Sequence, residues 1–423
     1  SYWIQDWFTK IRALPELGES EVQRIIGLGV DPTNGALYAF PHFEQTAGDQ
    51  INVQAVVNKE WLAAVGEEAP TTVEDLYRVL KKFAEQDPNG NGKKDELPLV
   101  GSDTLYSADI VEFIINAYIY CCDQNIYNVT DGKVWVPYTE DEYREALIFV
   151  NKLYKEGLLT PLFFSMNNNG ELAELNTPTD QVAIAGITAG STSIFYTSDN
   201  PVLYQYQALA PLKAATSRGG WAPFRGNTYQ YVVSITRDAA DPQICFRLLD
   251  FMCSFDSYVR MRYGKYGEDW TDPDPGTTGS LGYPSAWKTL KEVYSVQSGE
   301  NWHQLRGIIK LQKYHSGTFN DNGSWSAERT KLNRNIFQLY SEGNHPAEVI
   351  TKLTYSASQA EVRSELEDQL KSYFAEARAL FIAGTMDPNS DADWNTYLSN
   401  LKNMGLERLI EAVQGAYDFM VGK

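Results

Sequence analysis

Between Asp87 and Glu96 the chain reads Asp-Pro-Asn-Gly-Asn-Gly-Lys-Lys-Asp-Glu. Oxygen-bearing side chains stand at alternate positions (Asp87, Asn89, Asn91), Gly92 follows, the backbone carbonyl of Lys93 comes next, and Asp95 and Glu96 add two carboxylates. A hard divalent cation such as Ca²⁺ takes roughly six to eight oxygen ligands, and a tight loop of short acidic and amide side chains supplies them. Gly92 falls at the sixth position of the loop, where the backbone turns sharply and φ can be positive. The twelfth position is Pro98 rather than Glu, so closure around a cation falls to Asp95 and Glu96. The competing reading is a solvated Asn/Gly turn without metal. Crowding of three carboxylates into one turn favours Ca²⁺, because they repel one another unless a cation neutralises them. Such a site is structural and says nothing of purpose.

Other chemistry-bearing residues form no catalytic set. His42, His303, His315 and His345 are scattered without metal-ligand spacing, and no Ser/His/Asp or Cys/His arrangement stands out. Cys121 and Cys122 are adjacent in an apolar run, and Cys245 and Cys253 fall in one helical pattern, so all four read as small buried hydrophobes. Aromatic residues are abundant at 13%, with 26 Tyr and 10 Trp, which exceeds the needs of a core and suits a surface that stacks ring-shaped ligands. A net charge of −19 without a dense Lys/Arg cluster argues against nucleic acid and against anionic lipid. No apolar run reaches the roughly eighteen residues of a membrane span. The sequence opens at Ser1-Tyr2-Trp3 without a signal-peptide pattern, as expected of a processed or truncated product.

At 423 residues the chain exceeds what one core usually fills, so two domains are expected. Thr71 and Thr72 open a helix whose stripe is Val73, Leu76, Tyr77, Leu80 and Phe83, and that helix runs into the oxygen-rich loop. Leu97, Leu99 and Val100 after the loop read as a strand. A second helix begins after Thr139, with Tyr143, Ala146, Leu147, Val150, Leu153 and Tyr154 on one face and Gly157 placed to end it. Asp241-Pro242 opens a third. Val53–Val57, Val182–Ile187 and Tyr229–Ile235 read as short strands. Long amphipathic stretches run from Glu361 to Phe381 and from Leu398 to Tyr417. The segments 272–276 and 387–390, rich in Pro, Gly and Asp, are candidate linkers. Short strands alternating with helices predict an α/β protein.

The order of segments is specific. Asn34-Gly35-Ala36-Leu37-Tyr38-Ala39-Phe40-Pro41, then Val57-Asn58-Lys59-Glu60-Trp61-Leu62, Pro70-Thr71-Thr72, the oxygen-rich loop, Leu153-Tyr154-Lys155-Glu156-Gly157-Leu158, Arg262 through Trp270, and Asp393-Trp394 with Leu401 to Leu406 resembles the extracellular solute-binding proteins of ABC importers, family 1. The subgroup with a calcium loop is similar to lipoprotein-type carbohydrate binders. The resemblance covers essentially the whole chain. It implies a two-lobed periplasmic-binding-protein-like fold (type II), with ligand in the cleft between lobes and a hinge motion on binding. It implies an N-terminal lobe of residues 1–57 plus 218–300 and a C-terminal lobe of 58–217 plus 301–423. Family members carry a lipobox cysteine and the first strands and helices of the N-terminal lobe before the segment matching Asn34–Pro41, so an incomplete start to that lobe is expected. The implied partners are a carbohydrate and the membrane permease subunits. The implied setting is extracytoplasmic, lipid-anchored in the full-length protein and monomeric, without enzymatic activity.

A sugar offers an apolar face to an aromatic ring and a rim of hydroxyls to Asp, Glu, Asn, Gln and Arg. Ligand-binding candidates are therefore aromatics in loops: Trp221 beside Gly219-Gly220, with Arg225 and Asn227 close behind; Phe195 and Tyr196; Trp270; and Trp302. Each stands against the alternative of an ordinary half-buried aromatic. Two other classes remain open. A glycoside-active enzyme would need two carboxylates at a set separation, and a calcium-stabilised surface adhesin would present a flat patch without a cleft.

Overall fold

A computed structural model of the chain describes residues 17–31, 34–46, 50–51, 53–122, 125–190, 200–215, 218–227, 229, 232–291, 308–318, 327–341 and 343–422. Its apolar side chains collect into two large cores, one for each lobe.

The larger core is built on a four-stranded sheet in the order Leu97–Val100, Ala185–Ala189, Ala55–Asn58, Tyr206–Ala208. The first two strands are parallel and the remaining pairings antiparallel. Ala55–Asn58 and Ala185–Ala189 are buried along their whole length, the signature of a sheet covered on both faces. Helix Val73–Glu85 covers one part, with Val73, Leu76, Val79, Leu80 and Phe83 buried and the Thr72 hydroxyl accepting from Asp75 N. Its Phe83 ring lies so close to the sheet that a Cβ on Gly186 would meet it at 2.5 Å, which explains a glycine inside a strand. Tyr340, on helix Ala327–Ser341, accepts from Ala55 N (3.1 Å) and donates to Leu209 O (2.9 Å) through a fully buried hydroxyl.

A helical layer completes this lobe. Ala357–Ala383 starts with a capping box of Ser356 and Gln359 and packs on Asp141–Lys155 and Leu406–Met420. The amphipathic stretch predicted from Leu398 to Tyr417 is two helices. Asp391–Asn403 ends at Met404, and Gly405, at φ 91°, turns the chain into Leu406–Met420. The 387–390 segment is not a linker between lobes but a tight turn between two helices of one lobe, ending on the N-cap Ser390.

The smaller core gathers Val22, Ile25, Phe43, Tyr258, Trp287 and Ile309. Phe40–Pro41 pairs antiparallel with Val232–Val233, Phe43–Glu44 parallel with Ile309–Lys310, and Trp270–Thr271 antiparallel with Lys288–Thr289. Asp241 caps helix Pro242–Met252, with proline at its first turn as the sequence predicts. Ile308, Ile309, Leu311 and Tyr314 belong to this core, whereas the predicted boundary near residue 300 assigns them to the other lobe. Parallel pairing of Ile309–Lys310 with Phe43–Glu44 draws them there. Ala222 and Leu281 join the larger core instead.

Candidate functional site

Three chain segments interlock where the two cores meet. Ile51 bridges Phe224, and Arg225 N donates to Gln50 O at 2.8 Å. Ala222 N donates to Asn344 O at 2.6 Å, and the Phe224 ring stacks on His345 at 3.9 Å and 11°. The Tyr120 hydroxyl donates to Phe224 O. Helix Glu19–Leu28 of the smaller lobe reaches this seam through Arg24 Nη1, which donates to Thr351 Oγ1 (2.8 Å), and through Gly27 O, which accepts from Thr354 Oγ1 (3.3 Å).

A cavity of about 310 Å³ opens along the seam. Arg225, Asn227 and Tyr229 form one wall, the segment from Ile350 to Tyr355 a second, and Arg363, Glu367 and Lys371 of helix Ala357–Ala383 a third, with Asn125 and Tyr127 between them. Tyr229 belongs to the smaller core and Tyr127 to the larger, so the cavity touches both lobes. Glu367 is buried and accepts from Lys371 Nζ at 2.6 Å and from the Arg363 guanidinium. Burial pushes its carboxyl up, but the hydrogen bonds and charges of Lys371 and Arg363 outweigh this and hold it below the ordinary range. Burial pushes the Tyr355 phenol up to about 12. The Arg363 guanidinium lies over the Tyr355 ring, 4.9 Å from its centroid.

The oxygen-rich loop lies between helix Val73–Glu85 and strand Leu97–Val100, and none of its residues lines the cavity. Asp87 accepts from Asn91 N (3.1 Å) and Gly92 N (2.8 Å), Asn89 Oδ1 from Asn91 N (3.0 Å), and Asn91 Oδ1 from Lys93 N (2.7 Å). These bonds fold the side-chain oxygens inward, and Gly90 and Gly92 take φ of 69° and 72°. The amides of Asn89 and Asn91 both donate to Asp95, at 3.3 and 3.1 Å to Oδ1. Glu96 Oε1 is buried without a hydrogen-bond partner among the described residues. Burial first, then the charges of Asp95 and Asp87, push the Glu96 carboxyl above its ordinary range. Among the described residues no three His, Cys, Asp or Glu are gathered to hold a metal. The loop's remaining donors are amide and backbone oxygens. An orphaned buried carboxylate oxygen in a loop rich in amide and carbonyl oxygens is the electrostatic defect that a Ca²⁺ would cure, so the donor chemistry fits the ion.

No family model matches the chain. It is 24% identical over 403 residues to the fructooligosaccharide ABC transporter substrate-binding protein FusA of Streptococcus pneumoniae, an alignment covering 91% of this chain and 70% of FusA. Over 125 residues it is 36% identical to the lipoprotein LipO of Bacillus subtilis, covering 28% of this chain and 24% of LipO. The fold matches the HMO-binding, ABC-transporter-associated solute-binding protein of Bifidobacterium longum infantis with a TM-score of 0.74 at 19% identity, over 98% of this chain and 82% of that one. An EF-hand mutant of FusA also shares it, at a TM-score of 0.66 and 20% identity, over 94% and 79% of the two chains. The relatives this chain resembles are substrate-binding proteins of ABC transporters, and its fold is theirs.

The predicted ligand residues divide. Arg225 and Asn227 line the seam cavity. Trp221 stands beside the crossing, half-buried, with its indole N–H donating to Arg218 O at 2.8 Å, and is not in the cavity wall. Trp270 is buried in the smaller core, where its indole N–H donates to Gly264 O at 3.0 Å and Tyr266 and Phe255 meet it edge-on. It is a core residue there because strand pairing with Thr289 turns the ring inward. Phe195, Tyr196 and Trp302 lie outside the described residues. Sequence reasoning missed Tyr127, Lys352, Tyr355, Arg363, Glu367 and Lys371. The signal for three of them was present: Arg363, Glu367 and Lys371 recur at four-residue spacing and share one helix face. Such a face reads as solvated until the seam is known. Among the described residues no helix is long and apolar enough to cross a membrane.

Proposed function

We propose that this chain is the extracytoplasmic, non-enzymatic subunit that captures a carbohydrate between its lobes and presents it to the permease of an ABC importer. One observation carries the reading. The cavity joins residues of both lobes, so a ligand seated in it links them and favours the closed arrangement over the open one by its differential contacts. Arg225 and Asn227 offer polar groups to hydroxyl rims, while Tyr229, Tyr127 and Tyr355 offer rings to the apolar faces of a sugar. The relatives named above support a saccharide as solute, and FusA and LipO support the importer setting and lipid anchorage of the full-length protein. The protein acts as a monomer, with one lobe built on each of the two cores.

The loop Asp87–Glu96 holds a structural Ca²⁺ in this reading, through Asp87, Asn89, Asn91, the Lys93 carbonyl, Asp95 and Glu96. The ion neutralises the crowded carboxylates and has no part in capture. A thermal-shift screen of mono- and oligosaccharides tests the function. At least one saccharide raises the melting temperature and is recovered intact; hydrolysis of the saccharide would favour a glycoside-active enzyme.

A further inference from the structure

We infer that the carboxyl end of the larger lobe's sheet carries a second subsite, beside the seam cavity, in which Gln54 and Ser107 hold one hydroxyl of a sugar ring lying against Tyr106. The inference rests on the saccharide-capture reading and adds residues to its site. Strands Leu97–Val100 and Ala185–Ala189 run parallel, so their carboxyl ends share one edge, and open α/β sheets take their ligands outside such ends. Residues 102–108 follow the first strand, and Gly190, which follows the second, donates from its N to Gln54 O at 3.0 Å. Gln54 N donates in turn to Ser107 O at 3.3 Å, so the two residues stand side by side. Both are buried, at 4% and 5% exposure, and neither Gln54 Oε1 nor Ser107 Oγ has a hydrogen-bond partner among the described residues. An orphan acceptor next to an orphan hydroxyl matches one ligand hydroxyl, which donates to the amide oxygen and accepts from the serine.

The backbone supplies a second observation. Ser107 has a φ of 60°, a left-handed conformation uncommon for a residue with a Cβ. Its loop pins it there. Ser102 N donates to Ala108 O (3.0 Å) and Ala108 N to Leu105 O (3.1 Å), while Ser102 Oγ accepts from Leu105 N (3.2 Å) and donates to Met166 O (2.6 Å). Strain that the surroundings over-determine in this way marks a position kept for function. Asp109, two residues on, is committed elsewhere: Arg378 engages it at 2.8 Å, and it caps helix Ile110–Ile115 through Val111 N and Glu112 N. Tyr106, next to Ser107, is 47% exposed, and Arg225 Nη2 approaches its hydroxyl at 3.5 Å. Arg225 also lines the seam cavity, so one saccharide can reach from the cavity past Arg225 to the Tyr106 ring.

Titration calorimetry with maltotriose, xylotriose, mannotriose and kestose, together with melting temperatures of the sugar-free protein, tests the subsite. At least one trisaccharide should bind the parent chain. Ser107→Ala and Gln54→Met should each weaken the tightest of them about fivefold or more. Ser107→Ala should keep or raise the melting temperature, because it deletes an unpaired buried hydroxyl, so lost affinity cannot be ascribed to misfolding. Ser107→Gly should lose affinity likewise and raise the melting temperature, because glycine takes the left-handed backbone without strain. A purely structural residue would do the reverse, lowering the melting temperature while the folded fraction binds normally. That result, or unchanged affinity in either Ser107→Ala or Gln54→Met, overturns the inference and leaves saccharide capture standing. Binding of none of the four trisaccharides overturns both.

Discussion

Gln50 Nε2 donates to Asn227 Oδ1 at 2.8 Å, and the carbonyl of the same Gln50 accepts from Arg225 N at 2.8 Å. One residue beside Ile51 thereby fixes two residues of the segment after Phe224, both of them in the cavity wall. The position of these two cavity-wall side chains is set by the seam itself.

Gln50→Ala removes the side-chain half of this link. A net hydrogen bond is worth about 0.5–1.5 kcal/mol, so saccharide affinity should fall roughly two- to tenfold by titration calorimetry, with little change in melting temperature. Unaltered affinity would show that Asn227 needs no positioning.

Tyr340→Phe should act in the opposite way. It leaves Ala55 N and Leu209 O without their shared partner inside the larger core. Urea denaturation should report a loss of about 1–3 kcal/mol, and the folded fraction should bind saccharide normally.

Glu367 gives the acid limb of stability a local component. Its folded-state carboxyl titrates below the ordinary value of 4.5, so its contribution is fully present above that value and is lost as the pH falls through and below it. Glu367→Gln should lower stability at neutral pH by about 1–3 kcal/mol, a figure reduced for the solvent access of Arg363 and Lys371. The gap between variant and parent should narrow as the pH drops from about 5 to 3. Melting temperatures across that range check it; a constant gap would mean the carboxylate is not stabilised by its partners.

Chelation of Ca²⁺ should lower the melting temperature, because an ion bound only by the folded loop stabilises it by mass action. Asp87→Ala should abolish this dependence and leave saccharide affinity within about twofold. A melting curve unmoved by chelator would return Asp87–Glu96 to a solvated turn.

Much of the larger lobe was legible in the sequence because its signals are local. The stripe from Val73 to Phe83, the Thr72 cap, the strand after the oxygen-rich loop and the Gly157 stop at φ 70° all depend on neighbours within a turn or two. Gly405 was a local signal that went unread, since its left-handed φ of 91° divides the predicted Leu398–Tyr417 helix. The third boundary between lobes was not legible, because Ile309–Lys310 is claimed by a strand more than 260 residues earlier and nothing near residue 309 announces it. The site was legible only in part for the same reason. Arg225 and Asn227 sit where the chain turns between lobes, but Tyr127, Lys352 and Glu367 meet them only through the fold.

Capture without conversion is tested most directly by titrating the protein calorimetrically with a series of oligosaccharides and then recovering each by chromatography. Saturable binding of one saccharide per chain, with that saccharide recovered unchanged and Arg225→Ala weakening it about tenfold or more, is the expected result. Saccharide cleaved to shorter products, or no heat and no rise in melting temperature across the series, would contradict it.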